Sequence, residues 1–479
     1  MKSEILAAAF LGLAVRSIIS LHSYSGHNSP PMYGDYEAQR HWQEVTINLD
    51  VGEWYTNSSN NDLMYWGLDY PPLTAFHSYL VGQVGKAIDP EFVALHKSRG
   101  IQSAEHKRFM RSTVVFADVL IYLPAILFVC LSLDKILQGQ DTLFLLTLAM
   151  TYPGQFLIDN GHFQYNNISL GLAAVAVGGI LRGKYYTASF LFTLALNYKQ
   201  MELYHSLPFF AFLLGECIAQ KNIGAFASKL SRIATIVLTT FAVLWSPWLG
   251  SSKAALGVLQ RLFPVARGVF EDKVANVWCA INVVWKLRKH LMNEQMALIC
   301  IGCTLIAALP TNIAVFRNRS KLGFLLALFN TSLAFFLFSF QVHEKTILLA
   351  ALPALFLLKW WPNEMLLFLE VSVFSMLPLL TKDNLLLPAL ASTVAFHLVF
   401  KCFTPQTTSD QYGILKNIAK ISNLVMVLIV GASLTIYPPP RFPDLWPLII
   451  SVTSCAHFVL FFLWGNYQQL TCKKMLQNK

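Results

Sequence analysis

The feature that most constrains this chain is a series of long apolar runs that recurs from one end to the other. A helix crossing the hydrocarbon of a bilayer needs about 20 mostly apolar residues, and fewer when it is packed or broken. Such runs centre near Leu13, Ile121, Leu148, Ala174, Phe192, Ala211, Thr239, Ala307, Ala334, Leu355, Val373, Val394, Leu428 and Val459. They predict an all-α polytopic membrane protein with about 12–14 transmembrane helices. Composition agrees, since 55% of residues are hydrophobic and only 13% charged, against about 25% charged in soluble domains. The net charge of +10 does not point to nucleic acid, because the basic residues are scattered between apolar runs. The first run, residues 5–21, ends without a small-residue cleavage pattern and reads as an uncleaved first span. The eight cysteines fall mostly inside apolar runs and read as core residues. Cys300 and Cys303 sit within a span, where metal binding lacks polar support.

Charge then sets sidedness. With a cytosolic N-terminus and fourteen alternating spans, seventeen basic residues fall in cytoplasmic ends and loops. Only Lys199, Lys345, Lys382 and Arg441 fall in the short loops opposite, and positive charge is retained on the cytoplasmic side. Two long loops, 22–111 and 250–291, are thereby expected on the luminal side. The first carries the sequon Asn57-Ser58-Ser59, usable only in a lumen, whereas those at Asn167, Asn318 and Asn330 read as silent. Both loops mix polar and aromatic residues at helical spacing, which predicts amphipathic helices lying along the luminal face. No internal repeat is visible, which counts against an inverted-repeat transporter. The main charges within spans, Arg16, Asp118 and Glu370, are too scattered to form a transport pathway.

The unusual polar clusters all fall on the expected luminal side. They are Asp35 with Glu37, Arg40 and His41; the stretch Trp66-Gly67-Leu68-Asp69-Tyr70-Pro71-Pro72; residues 159–166, with His162 and Gln164; Asn197-Tyr198-Lys199-Gln200; Arg261-Leu262-Phe263-Pro264 with Arg267 and Glu271-Asp272-Lys273; and His343-Glu344-Lys345. Each has a plainer explanation. Asp35 could cap the helix it begins, Asp69 could help start a helix at the two prolines, and His162 and Gln164 could satisfy backbone ends between two spans. Their shared placement on one face argues instead for an active site at the membrane surface. The triplet at His343 follows an apolar run, and charge at that depth is costly without an anionic partner.

The stretches PPMYGDYEAQRHW, YWGLDYPPLTAFHSY, GHFQYN, NYKQMELYHSLPFF, RLFPVARGVFEDKVANVWC, FFLFSFQVHEKTILL and SMLPLL run from near residue 30 to near residue 380 and so span most of the chain. On them the protein resembles the dolichyl-phosphate-glucose-dependent α-1,3-glucosyltransferases of the endoplasmic reticulum membrane. EAQRHW and FEDKVANVW look like the enzyme that adds the first glucose to the nine-mannose lipid-linked glycan; the sibling adding the second glucose is the alternative. The resemblance implies the GT-C fold and a single integral membrane domain over 1–479, with a catalytic module of about 1–290 and a C-terminal transmembrane module of about 291–479. It further implies a dolichyl phosphate glucose donor, a lipid-linked oligosaccharide acceptor, no cofactor and no metal. The donor sugar is β-linked and the product α-linked in this family, so the reaction inverts in one displacement and needs one base. Asp35, shortly past the first span, is the candidate base. Asp69, His162, Gln164, Lys199, Arg267, His343 and Lys345 are the candidate substrate-binding residues, with His343 and Lys345 facing the donor phosphate.

Overall fold

Backbone in lipid must pair every N–H and C=O within its own segment, and this chain does so with helices throughout. The computed structural model describes residues 2–137, 142–263, 273–403 and 413–471; these form helices and no strand beyond an isolated bridge between Ser58 and Asn61. Among the described residues, eight helices are long and apolar enough to cross a membrane: Ser3–Ser20, Ala104–Asp134, Ile223–Leu249, Asn293–Asn318, Lys321–Phe338, Leu386–Phe403, Asn417–Thr435 and Leu445–Thr471. The protein is therefore a multi-pass membrane protein. Residues such as Phe10, Leu238, Ile306 and Val427 on these helices are exposed, an apolar surface suited to lipid and not to water.

The other six expected crossings fall on shorter helices. These are Thr142–Thr151, Asn166–Leu181, Tyr185–Tyr198, Leu203–Ile218, Leu348–Leu357 and Pro362–Ser375. Several are buried along nearly their whole length, so neighbouring protein replaces lipid and a full span is not needed. One hydrophobic cluster joins them, running from Ala8 to Phe461.

The charges within spans are paired. Arg16 Nε lies 3.3 Å from Asp118 Oδ1, both fully buried, and the guanidinium also donates to the Met150 carbonyl at 2.6 Å. Glu370 accepts from His397 at 2.6 Å and from Asn423 at 3.0 Å. Removing one member of a buried pair strands the other, at a cost of about 3–5 kcal/mol. Asp118→Ala should therefore lower the unfolding temperature in detergent sharply, and the double change with Arg16→Met should recover part of the loss. A double variant less stable than either single one would mean the two charges are not coupled.

The loop helices depart from expectation in one place. Ser252–Leu262 is amphipathic as its pattern predicts, with Val258 and Leu262 inside. The helix Asp35–Asn48, however, does not lie on a surface, because it is buried from Tyr36 through Thr46. Its charges are neutralised internally. Arg40 makes a two-point contact with Glu37 at 2.6 and 2.9 Å and meets Glu44 at 2.7 Å, one turn to either side. Glu37, Arg40 and His41 thus hold this helix together instead of joining Asp35 at a site.

Candidate active site

The position of Asp35 is fixed by a tight loop, 25–34, that leads into its helix. Gly26 has φ +77°, and a Cβ there would sit 1.4 Å from the Tyr33 carbonyl oxygen, so only glycine fits. The crossing lets the Ser25 Oγ accept the Asp35 backbone N–H at 3.2 Å, while the Ser25 N–H donates to the His162 carbonyl at 2.9 Å. Arg111 ties the same two segments together, donating to the carbonyls of Ser23 at 2.8 Å and Gly161 at 2.7 Å. The cap of the Asp35 helix is Gly34, with no side-chain cap. Asp35 is therefore not spent on capping.

Nor do His162 and Gln164 serve backbone ends. Asp159 does that, accepting the N–H groups of Asn166 at 3.1 Å and Asn167 at 2.7 Å where the Asn166–Leu181 helix begins. This leaves His162 and Gln164 to reach Asp35. His162 Nε2 lies 2.9 Å and Gln164 Nε2 2.5 Å from Asp35 Oδ2, and Lys345 Nζ forms an ion pair with the same oxygen. Burial would raise the Asp35 carboxyl, but the Lys345 ammonium and then His162 outweigh it and hold the group well below the usual carboxylate range. Lys199 donates to Asn166 Oδ1 and, at 3.4 Å, to Gln164 Oε1. Burial, and then the nearby Lys345, depress its ammonium below the ordinary lysine value, while Asp159 and Asp35 oppose that shift.

These groups surround a cavity of about 470 Å³. Asp35, Asp69, Gln164, Lys199, His343 and Lys345 line it, so six of the eight candidate residues come together from separate segments of the chain. His162 stands behind Asp35 and is nearly buried, at 3% exposure against 21% for Asp35. Arg267 lies outside the described residues. Asp69 does not cap the following helix, whose cap position is Pro71. Its loop is clamped from outside: Arg261 donates to the carbonyls of Gly67 at 2.7 Å and Leu68 at 3.2 Å, and Gln200 to that of Asp69 at 2.9 Å. Trp42, Trp66 and Tyr70 form an aromatic side of the cavity, a surface on which sugar rings stack. Ala297, Ile301 and Phe335, from two membrane-crossing helices, line another part.

Sequence reasoning placed Arg261 and Gln200 in polar clusters without making either a candidate site residue, and it did not single out Asp383. Asp383 accepts from His162 Nδ1 at 2.5 Å across 221 positions. The signal available was weak: one acid in a short turn just past the SMLPLL stretch.

A sequence model described as the ALG6, ALG8 glycosyltransferase family matches residues 11–464. A Drosophila melanogaster protein named "Probable dolichyl pyrophosphate Man9GlcNAc2 alpha-1,3-glucosyltransferase" is 73% identical over 473 residues, covering 99% of this chain and 100% of the relative. A Mus musculus protein with the same name, without "probable", is 48% identical, covering 95% of this chain and 94% of its own length. An Arabidopsis thaliana relative, named as in Drosophila, is 39% identical over 98% of this chain and 90% of its own.

Proposed function

The chain belongs to the ALG6, ALG8 glycosyltransferase family, and we propose that it moves glucose from dolichyl phosphate glucose to the nine-mannose glycan on dolichyl pyrophosphate. The product carries the first α-1,3-linked glucose of the N-glycan precursor, and the reaction takes place at the luminal face of the endoplasmic reticulum membrane. The observation that supports this reading best is the make-up of one cavity. Two carboxylates, two lysines, an arginine and a histidine share it with an aromatic side and with apolar residues of membrane-crossing helices. Sugar, phosphate and lipid each meet a matching surface there.

In the reaction, a mannose 3-hydroxyl oxygen attacks the glucose anomeric carbon as the bond from that carbon to the phosphate oxygen breaks. Asp35 takes the hydroxyl proton. Among the described residues the three side-chain donors to Asp35 fall on Oδ2, which leaves Oδ1 for the acceptor. Dolichyl phosphate departs as a stable anion, so a general acid is dispensable, and Lys345, His343 and Lys199 stabilise the charge that develops on it. The preference for the unglucosylated acceptor follows the names of the relatives, which specify Man9GlcNAc2. Purified protein given labelled donor should glucosylate a nine-mannose lipid and leave one already bearing a glucose untouched. The opposite preference would assign it to the second-glucose step.

A further inference from the structure

We propose that Asp383 is a positioning residue for the transfer: it holds the His162 ring so that Nε2–H points at Asp35 Oδ2, and so keeps Oδ1 of the base turned to the acceptor hydroxyl. This rests on the reading of Asp35 as the base.

The geometry is a line of three side chains leading away from the cavity. Asp383 Oδ2 lies 2.5 Å from His162 Nδ1, and His162 Nε2 lies 2.9 Å from Asp35 Oδ2. Exposure falls from 21% at Asp35 to 3% at His162 and 5% at Asp383, so water does not compete for the inner contact. The backbone of both inner partners is fixed. Arg111 and the Ser25 N–H grip the carbonyls of Gly161 and His162. The turn after Asp383 packs so closely on Gly161 that a Cβ there would stand 3.0 Å from a Leu385 methyl carbon. A histidine pinned on one nitrogen by a buried carboxylate presents the other in a single direction, the general logic by which a third group orients a catalytic pair.

With a carboxylate at each nitrogen, the ring donates from both sides as an imidazolium. Burial opposes that charge, but Asp35 and the two hydrogen bonds prevail and raise the His162 pKa, with Lys345 acting against them. Arg111 also interacts electrostatically with Asp383, and Lys382 adjoins Asp383 in the chain. Asp383→Asn keeps an acceptor for Nδ1–H and removes the charge. His162 then loses its proton more readily, its support for the ionised Asp35 weakens, and the Asp35 carboxyl rises.

The test compares full-length wild type, Asp383→Asn, Asp383→Glu and Asp35→Asn over a pH series. Asp383→Asn should lose about 10- to 100-fold in kcat, the scale on which an orienting partner matters. KM for both lipids should stay within about twofold, and the acid limb of the rate profile should move to higher pH. Asp383→Glu, which restores the charge, should regain most of the rate and the original limb. An unchanged rate and limb in Asp383→Asn overturns the proposal. So does a slower enzyme with an unmoved limb, which marks a merely structural residue. Should Asp383→Asn fail to accumulate, the limb is read from His162→Gln, which should move it to higher pH. A limb unmoved in His162→Gln overturns the proposal as well. An active Asp35→Asn would refute the base assignment itself, a result distinct from a dead Asp35→Asn beside a silent Asp383→Asn.

Discussion

Asp35→Asn is expected to fold, to bind both lipids, and to transfer glucose about 10²- to 10⁴-fold more slowly than wild type, the range a general base contributes. The change preserves shape. The Ser25 Oγ still accepts the backbone N–H, and no helix cap is lost because Gly34 holds that position. A carboxamide can accept the contacts now made to Oδ2 but cannot take a proton from the acceptor. Turnover of labelled donor by purified protein, read beside lipid binding and thermal stability, separates these effects. Asp69→Asn is the control. It should retain measurable activity or lose stability, since its loop is held by Arg261 and Gln200 and shapes the cavity. An active Asp35→Asn with a folded, inactive Asp69→Asn would reverse the two roles.

Lys345→Met is the second large effect, a loss of about 10²- to 10³-fold in turnover, as when one preorganised stabiliser of developing charge is removed. Lys345 has two partners to serve, because it pairs with Asp35 and lines the cavity that also holds His343 and Lys199. On the proposed mechanism a donor phosphate arriving there would attract the same ammonium and loosen its hold on Asp35, so that the base would strengthen as substrate binds. The pH dependence has a definite sign. Lys345 and His162 hold the Asp35 carboxyl well below the usual range against the opposing effect of burial. Without the lysine, burial weighs more, the carboxyl rises, and the acid limb of the kcat/KM profile moves to higher pH. The slower variant should therefore be disproportionately slow in mild acid. Full activity in Lys345→Met, or a limb that moves to lower pH, would remove both roles.

Much of the site was legible because lipid sorts residues so strongly. A polar cluster cannot remain at mid-span without a partner, so the clusters at Asp35, Asp69, Gln164, Lys199 and His343 had to fall at the ends of the apolar runs. They line one cavity. One grouping went astray for a local reason. Arg40 and Glu37 share a short stretch with Asp35, but the helical turn carries them away from it into a buried ion network with Glu44. From the RLFP stretch the described residues bring Arg261 to the cavity, while Arg267 lies outside them.

What the sequence determined by itself was the class of fold, the number and order of apolar segments, and the residues that had to gather at one end. Hydrophobic length and charge are properties of each segment alone, and the bilayer reads them one segment at a time. The tertiary structure decided which helices are full spans and which are short and enclosed, because enclosure depends on neighbours far away in the chain. It also decided that Asp383 stands behind His162, 221 positions distant. Lipid is about as apolar as leucine, so it does not rank one lateral arrangement of helices above another. That choice is made by side-chain packing and by buried hydrogen bonds between segments, of which the line from Asp383 through His162 to Asp35 is one.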